Sequence, residues 1–164
     1  MARRCFYSFH YKPDVWRDSQ IRNIGAVEGN RPATDNDWET VTSGGANKIK
    51  EWIADQMNGR TCTVVLIGAG TANRRWINYE IAESWIKGKG VVGIHIHNLE
   101  NSQGQQSSKG NNPLYYVKFK SGKRLSTVAN TYDPPRTTGR GVYSYISDHI
   151  EDWIEEAIKI RAAN

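Results

Sequence analysis

Two hydrophobic periods alternate along this chain, one of two residues and one near 3.6, and each switch between them marks a predicted element. Arg4–Phe9 mixes alternating aromatic and small side chains and predicts a first strand. Val15, Trp16 and Ile21 stand at roughly helical spacing, so Asp14–Asn23 predicts a helix that starts just after Pro13. Ile24–Val27 predicts a short second strand. Glu28–Gly45, rich in Gly, Asn, Asp, Thr and Pro, reads as a long loop, and loops of that length in a compact domain tend to be functional or mobile.

Ile49, Ile53 and Met57 recur four apart with Trp52 alongside, which predicts a helix over Ala46–Met57, stopped by Asn58-Gly59. Thr61–Ile67 is a β-branched apolar run without polar alternation, the pattern of a central strand covered on both faces. A helix over Arg74–Lys87 follows, then a short apolar strand, Val91–Ile96. Asn98–Asn112 is a polar stretch of Ser, Gln, Gly and Asn and reads as a surface excursion. Tyr115–Phe119 predicts a short edge strand, Asp133–Gly141 a Pro/Gly/Arg loop, and Val142–Arg161 a closing helix. That helix carries Ile146, Ile150, Trp153, Ile154, Ala157 and Ile158 on one stripe. Strands alternating with helices argue for a doubly wound α/β fold around a mainly parallel sheet. Without internal repeats or a boundary, residues 1–164 are expected to form one domain.

Composition alters this picture only modestly. Hydrophobic residues make up 38% and charged residues 24% of the chain, and no apolar run approaches the ~20 residues of a membrane span. The start, MARRCFYSF, enters strand-like sequence without a signal-peptide core, so a cytoplasmic location is expected. Cys5 and Cys62 each fall in a predicted buried strand and read as structural thiols. A net charge of +5 suits an anionic partner, yet the basic residues are scattered and form no nucleic-acid stripe. The six Trp and eight Tyr exceed what packing alone needs, so some are expected to line a pocket for a flat ligand or a contact with another chain.

The chemistry concentrates in Thr63–Lys87, where a buried strand runs through a short loop into a helix. Open α/β sheets bind ligands at the carboxyl ends of strands, beside the next helix. At about 100° per residue, Ile77, Ile81, Ala82 and Trp85 face the sheet, while Trp76, Glu80 and Glu83 share a flank. Glu80 stands nearer the helix start than Glu83 and is the better-placed acid. On spacing alone, a solvated Glu80 and a core-capping Trp76 are slightly the better readings.

Other candidates are weaker. Gly68-Ala69-Gly70 after a strand suggests a dinucleotide fingerprint, but Asn73 occupies the place of the third glycine, which argues against a redox Rossmann site. Arg74 and Arg75, at the helix start, read either as phosphate ligands or as a solvated pair. His95 and His97 share a strand face, but no carboxylate or cysteine nearby completes a metal set, so no metal is expected. Ser8, Phe9 and His10 close the first strand beside the central strand's end, where positioning a ligand is a better role for them than attacking one.

CFYSFHY, WRDSQIRN, and VVLIGAGTANRRWINYEI followed by VVGIHIHNL together resemble the TIR-like domains of ThsB proteins in bacterial Thoeris anti-phage systems. The resemblance spans roughly the first hundred residues and is strongest over Thr63–Ile81. It implies a flavodoxin-like fold and an enzyme of NAD+ glycohydrolase or ADP-ribosyl cyclase type, with NAD+ as substrate and no further cofactor. The family's catalytic glutamate, four residues after a tryptophan, falls on Glu80 after Trp76. Ser8, Phe9, His10 and Trp76 become substrate-binding candidates, as do Asp37 and Trp38 in the long loop, where TIR domains keep a segment bordering the site. The resemblance further implies a diffusible cyclic ADP-ribose-type product that activates a separate effector, together with TIR–TIR self-association. The competing reading is a non-catalytic TIR adaptor or nucleotide-binding module, which has no need of an acid at Glu80.

Overall fold

The computed structural model describes residues 3–30 and 45–164. Its strands are β1 (Arg3–Ser8), β2 (Val27–Gly29), β3 (Cys62–Ile67), β4 (Gly90–His95) and β5 (Thr131–Tyr132). Its helices are α1 (Tyr11–Asn23), α2 (Ala46–Met57), α3 (Arg75–Ile86) and α4 (Gly139–Ala162), with short 3-10 turns at Pro113–Tyr116 and Leu125–Thr127. The strands form one parallel sheet in the order β2-β1-β3-β4-β5. This flavodoxin-like order winds outward in both directions from β1 and leaves a crevice between the carboxyl ends of β1 and β3.

Burial explains why the central strands read as continuous apolar runs. Every residue of β3 and of β4 is buried, because helices cover both faces of the sheet. On one face Tyr7, Val64, Leu66, Val92 and Ile94 pack against Ile21 of α1 and the Ile146, Ile150 and Ile154 stripe of α4. On the other, Val65, Ile67 and Val91 pack under Ile77 and Ile81 of α3, and Phe6 packs against Ile49, Ile53 and Met57 of α2. Cys5 and Cys62 are register partners on β1 and β3, both buried as free thiols. Among the described residues, no helix is long and apolar enough to cross a membrane.

Two predicted strands require correction. The second begins at Val27, because Ile24 still has helical backbone at the end of α1 and Gly25 turns left-handed at φ 76°. Tyr115–Phe119 is not the edge strand. Pro113 opens a 3-10 turn there, capped by Asn112, whose side chain accepts from the Leu114 amide, and only a single bridge links Lys118 to Arg124. The edge belongs instead to Thr131–Tyr132, paired with Gly93 and Ile94.

The polar excursion after β4 is tied down over the carboxyl end of the sheet. Arg17, 3% exposed on α1, donates from Nε to the Leu99 carbonyl at 2.8 Å and from Nη2 to the Gln105 carbonyl at 2.9 Å. Its Nη1 pairs with buried Asp14 at 3.0 Å. Gly110 then crosses Gly68 so closely that a Cβ on Gly110 would clash with the Gly68 carbonyl, and one on Gly68 would clash with the Asp14 carboxyl. Gly110 is demanded by close backbone approach and Gly68 by the Asp14 carboxyl packed against it, neither by φ.

Candidate active site

Glu80 is set by three elements. The sequence from Arg75 folds as a helix that buries Ile77 and Ile81 on the sheet, and this rotates Glu80 inward toward β1. Ser84, one turn later, donates from its hydroxyl to the Glu80 carbonyl at 2.8 Å and lies 2.5 Å from the Thr63 hydroxyl, fixing that stretch against β3. Ser8, the last residue of β1 and fully buried, donates from Oγ to Glu80 Oε1 at 3.4 Å. Glu80 is 5% exposed. Burial pushes its carboxyl well above the ordinary glutamate range, and the Ser8 hydrogen bond opposes this.

The carboxyl lines a cavity of about 540 Å³ that opens at the β1/β3 crevice, together with Phe9, His10, Tyr11, Lys12, Asn73, Arg74, Arg75, Trp76 and Ile77. Trp76 is half-buried: it packs toward Phe6 and the α2 side chains, meets Tyr79 edge-on at 5.5 Å, and carries the Arg75 guanidinium 4.7 Å above its ring. The core-capping and the pocket-lining readings of Trp76 therefore both hold. Phe9 and Tyr11 form a tilted pair at 6.1 Å across the mouth. A second cavity of about 520 Å³ lies at the amino end of the sheet, where both lining arginines already pair with acids. There Arg3 grips Glu155 through two bonds of 2.7 and 2.8 Å, and Arg4 pairs with Glu28 at 3.3 Å.

Ser8, Phe9, His10, Trp76 and Glu80 thus converge on one end of the sheet. Asp37 and Trp38 lie outside the described residues. Tyr11, Lys12 and Asn73 join the cavity without having been candidates on sequence. Tyr11 and Lys12 directly follow His10 at the strand end, and that adjacency is the signal the sequence offers for them. Asn73 takes a left-handed φ of 60°, which asparagine tolerates better than most residues, and this lets the chain turn into α3 without the missing glycine.

His95 and His97 are buried, with ring centroids 5.7 Å apart. Burial drives His95 down to about 4 and lowers His97 as well, while Asp133 nearby pulls both upward. Among the described residues, no group of three His, Cys, Asp or Glu side chains is gathered to hold a metal ion.

A 2-1-3-4-5 parallel sheet with a cavity at its switch point defines the flavodoxin-like class of α/β domains. Residues 6–101 match the family described as Thoeris protein ThsB, TIR-like domain. The chain is also 36% identical, over 133 residues, to "Putative cyclic ADP-D-ribose synthase ThsB1" of Bacillus cereus (strain MSX-D12), an alignment covering 76% of this chain and 69% of that protein. On both grounds the chain belongs to the ThsB TIR-like family.

Proposed function

We propose that this domain cleaves NAD+ between nicotinamide and ribose, with Glu80 facing the developing ribosyl cation, and releases a cyclic ADP-ribose-type nucleotide that activates a separate Thoeris effector. The observation that carries the reading is the state of Glu80. It is buried at a cavity wall, with Ser8 as its hydrogen-bond partner and, among the described residues, no cationic side chain offsetting its burial. A carboxyl left in that condition is costly to ionise until a cationic ligand arrives. Oxidised nicotinamide riboside supplies such a charge beside the scissile bond.

The chemistry needs one carboxylate. As the C1′–N bond breaks, its electron pair passes to the pyridinium nitrogen and nicotinamide leaves neutral, so no acid has to protonate it. The positive charge that develops on the ribose is stabilised by ionised Glu80 in a site of low dielectric. Water capturing C1′ would release linear ADP-ribose and a proton. Capture by a nucleophilic atom of the same nucleotide would release the cyclic product and a proton. Phe9, Tyr11 and Trp76 line the mouth with apolar rings that favour the second route by excluding water. The name of the Bacillus cereus relative supports a cyclic product.

The test is incubation of the purified protein with NAD+ and separation of the products by mass. The reading predicts nicotinamide together with a product lighter than ADP-ribose by one water. Linear ADP-ribose alone would overturn cyclisation, and intact NAD+ under conditions where the protein demonstrably binds it would overturn cleavage.

A further inference from the structure

We propose that Arg74 and Arg75 form the subsite that holds the diphosphate of the substrate, and so make the site select dinucleotides over nucleosides. This inference deepens the reading of Glu80 as an NAD+-cleaving carboxylate and rests on it. Both arginines line the same cavity as Glu80. They begin α3 on the cavity side, and Arg75 precedes Glu80 by five residues, about 7.5 Å along a helix axis. A ribose with its 5′ phosphate reaches most of the way along that interval when C1′ lies at Glu80 and the phosphate points to the helix start, and the arginine side chains cover the rest.

Neither arginine is committed to a carboxylate. Among the described residues, no ion pair engages Arg74 or Arg75, in contrast to Arg3, Arg4, Arg17 and Arg22, each of which grips an acid. Arg74 is held by its Nε, which donates to the Gly70 carbonyl at 2.7 Å, and this leaves its terminal nitrogens for a ligand. Arg75 is steadied over the Trp76 ring. Both guanidinium groups are thus preorganised, and a planar fork matches phosphate oxygens two at a time.

The helix start adds to this. No side chain caps α3, and no acidic residue stands in its first turn to compete for its amides. The buried carboxyl and the two cations thus line one cavity and complement the two charges of NAD+, which is cationic at nicotinamide and anionic at the diphosphate.

The experiment compares kcat/KM for NAD+ with that for nicotinamide riboside, which has no phosphate, in wild type, Arg74→Gln, Arg75→Gln and the double variant, with folding checked by circular dichroism. The expected result is a fall of about 10- to 100-fold per arginine on NAD+, through KM, with the riboside value unmoved, so that the ratio between substrates collapses. Arg75→Lys should recover part of the loss. Calorimetric binding of ADP-ribose, which needs no turnover, should weaken in the same variants by a similar factor. Equal losses on both substrates, or unchanged ADP-ribose binding, would overturn the subsite. If Glu80 does not cleave NAD+, neither substrate turns over, yet the ADP-ribose measurement still decides the role of the arginines.

Discussion

Replacing Glu80 with Gln should stabilise the protein increasingly as pH rises. Glu80 is 5% exposed, and burial raises its carboxyl well above the ordinary value of 4.5. In the unfolded chain the group ionises near that ordinary value, whereas the folded protein retains the proton to higher pH. Between the two values the native state binds one more proton than the unfolded state, so stability falls by about 1.4 kcal/mol per pH unit. The stabilising contribution is complete below pH 4.5 and is lost as pH rises through the folded-state value.

The glutamine amide is isosteric with the protonated carboxyl, still accepts from Ser8, and does not titrate. The difference in unfolding free energy between variant and wild type should therefore be small in acid and grow by about 1.4 kcal/mol per pH unit before levelling off. In melting temperature the gap should widen by roughly 3–6 °C per pH unit for a domain of this size. Thermal or urea unfolding of both proteins across pH 4 to 9 measures it. A difference that stays flat with pH, or a variant less stable at every pH, would refute the placement of Glu80 as a buried, unbalanced acid. The same titration should appear in turnover, with kcat/KM on NAD+ falling as pH drops through the free-enzyme value and the limb in kcat displaced to lower pH by the cationic substrate.

Other outcomes follow from the same geometry. Arg17→Met should cost roughly 3–5 kcal/mol in urea unfolding, because it strands the buried Asp14 carboxyl and frees the excursion held through Leu99 and Gln105; a loss below about 1 kcal/mol would contradict that role. Gly110→Ala should destabilise by about 1–3 kcal/mol in urea unfolding through overlap with the Gly68 carbonyl, whereas Gly70→Ala, whose Cβ would meet only ordinary contacts at 3.8 and 3.9 Å, should cost much less. His95 is driven down to about 4, so the folded protein resists protonation there and loses stability as pH falls from the ordinary 6.5 toward 4; His95→Asn should flatten that part of the stability profile.

Local pattern made some elements legible and left others hidden. The β3 run is apolar and rich in β-branched residues because both of its faces are covered, and the spacing of Ile77 and Ile81 on α3 fixes the side on which Glu80 lies. β5 was hidden because a two-residue strand has no period to read; cross-strand pairing with Gly93 and Ile94 defines it. Tyr115–Phe119 misled because its aromatic residues favour strands, yet the Asn112 cap and Pro113 decide the local backbone. The tethering of the excursion was equally invisible, since Arg17 reaches the Leu99 carbonyl across 82 residues of sequence. Helical arithmetic placed Glu80 beside Trp76, but the cavity and the Ser8 contact depend on how β1 ends against α3, which spacing does not encode.

The most direct test of the central claim is nicotinamide release from NAD+ by wild type and by Glu80→Gln, assayed together after matched unfolding curves confirm that both are folded. The account predicts release by the wild type and a fall of at least about 10²–10³-fold in the variant, the scale on which losing one preorganised charge-stabilising group acts. A Glu80→Gln protein that released nicotinamide at the wild-type rate would contradict it.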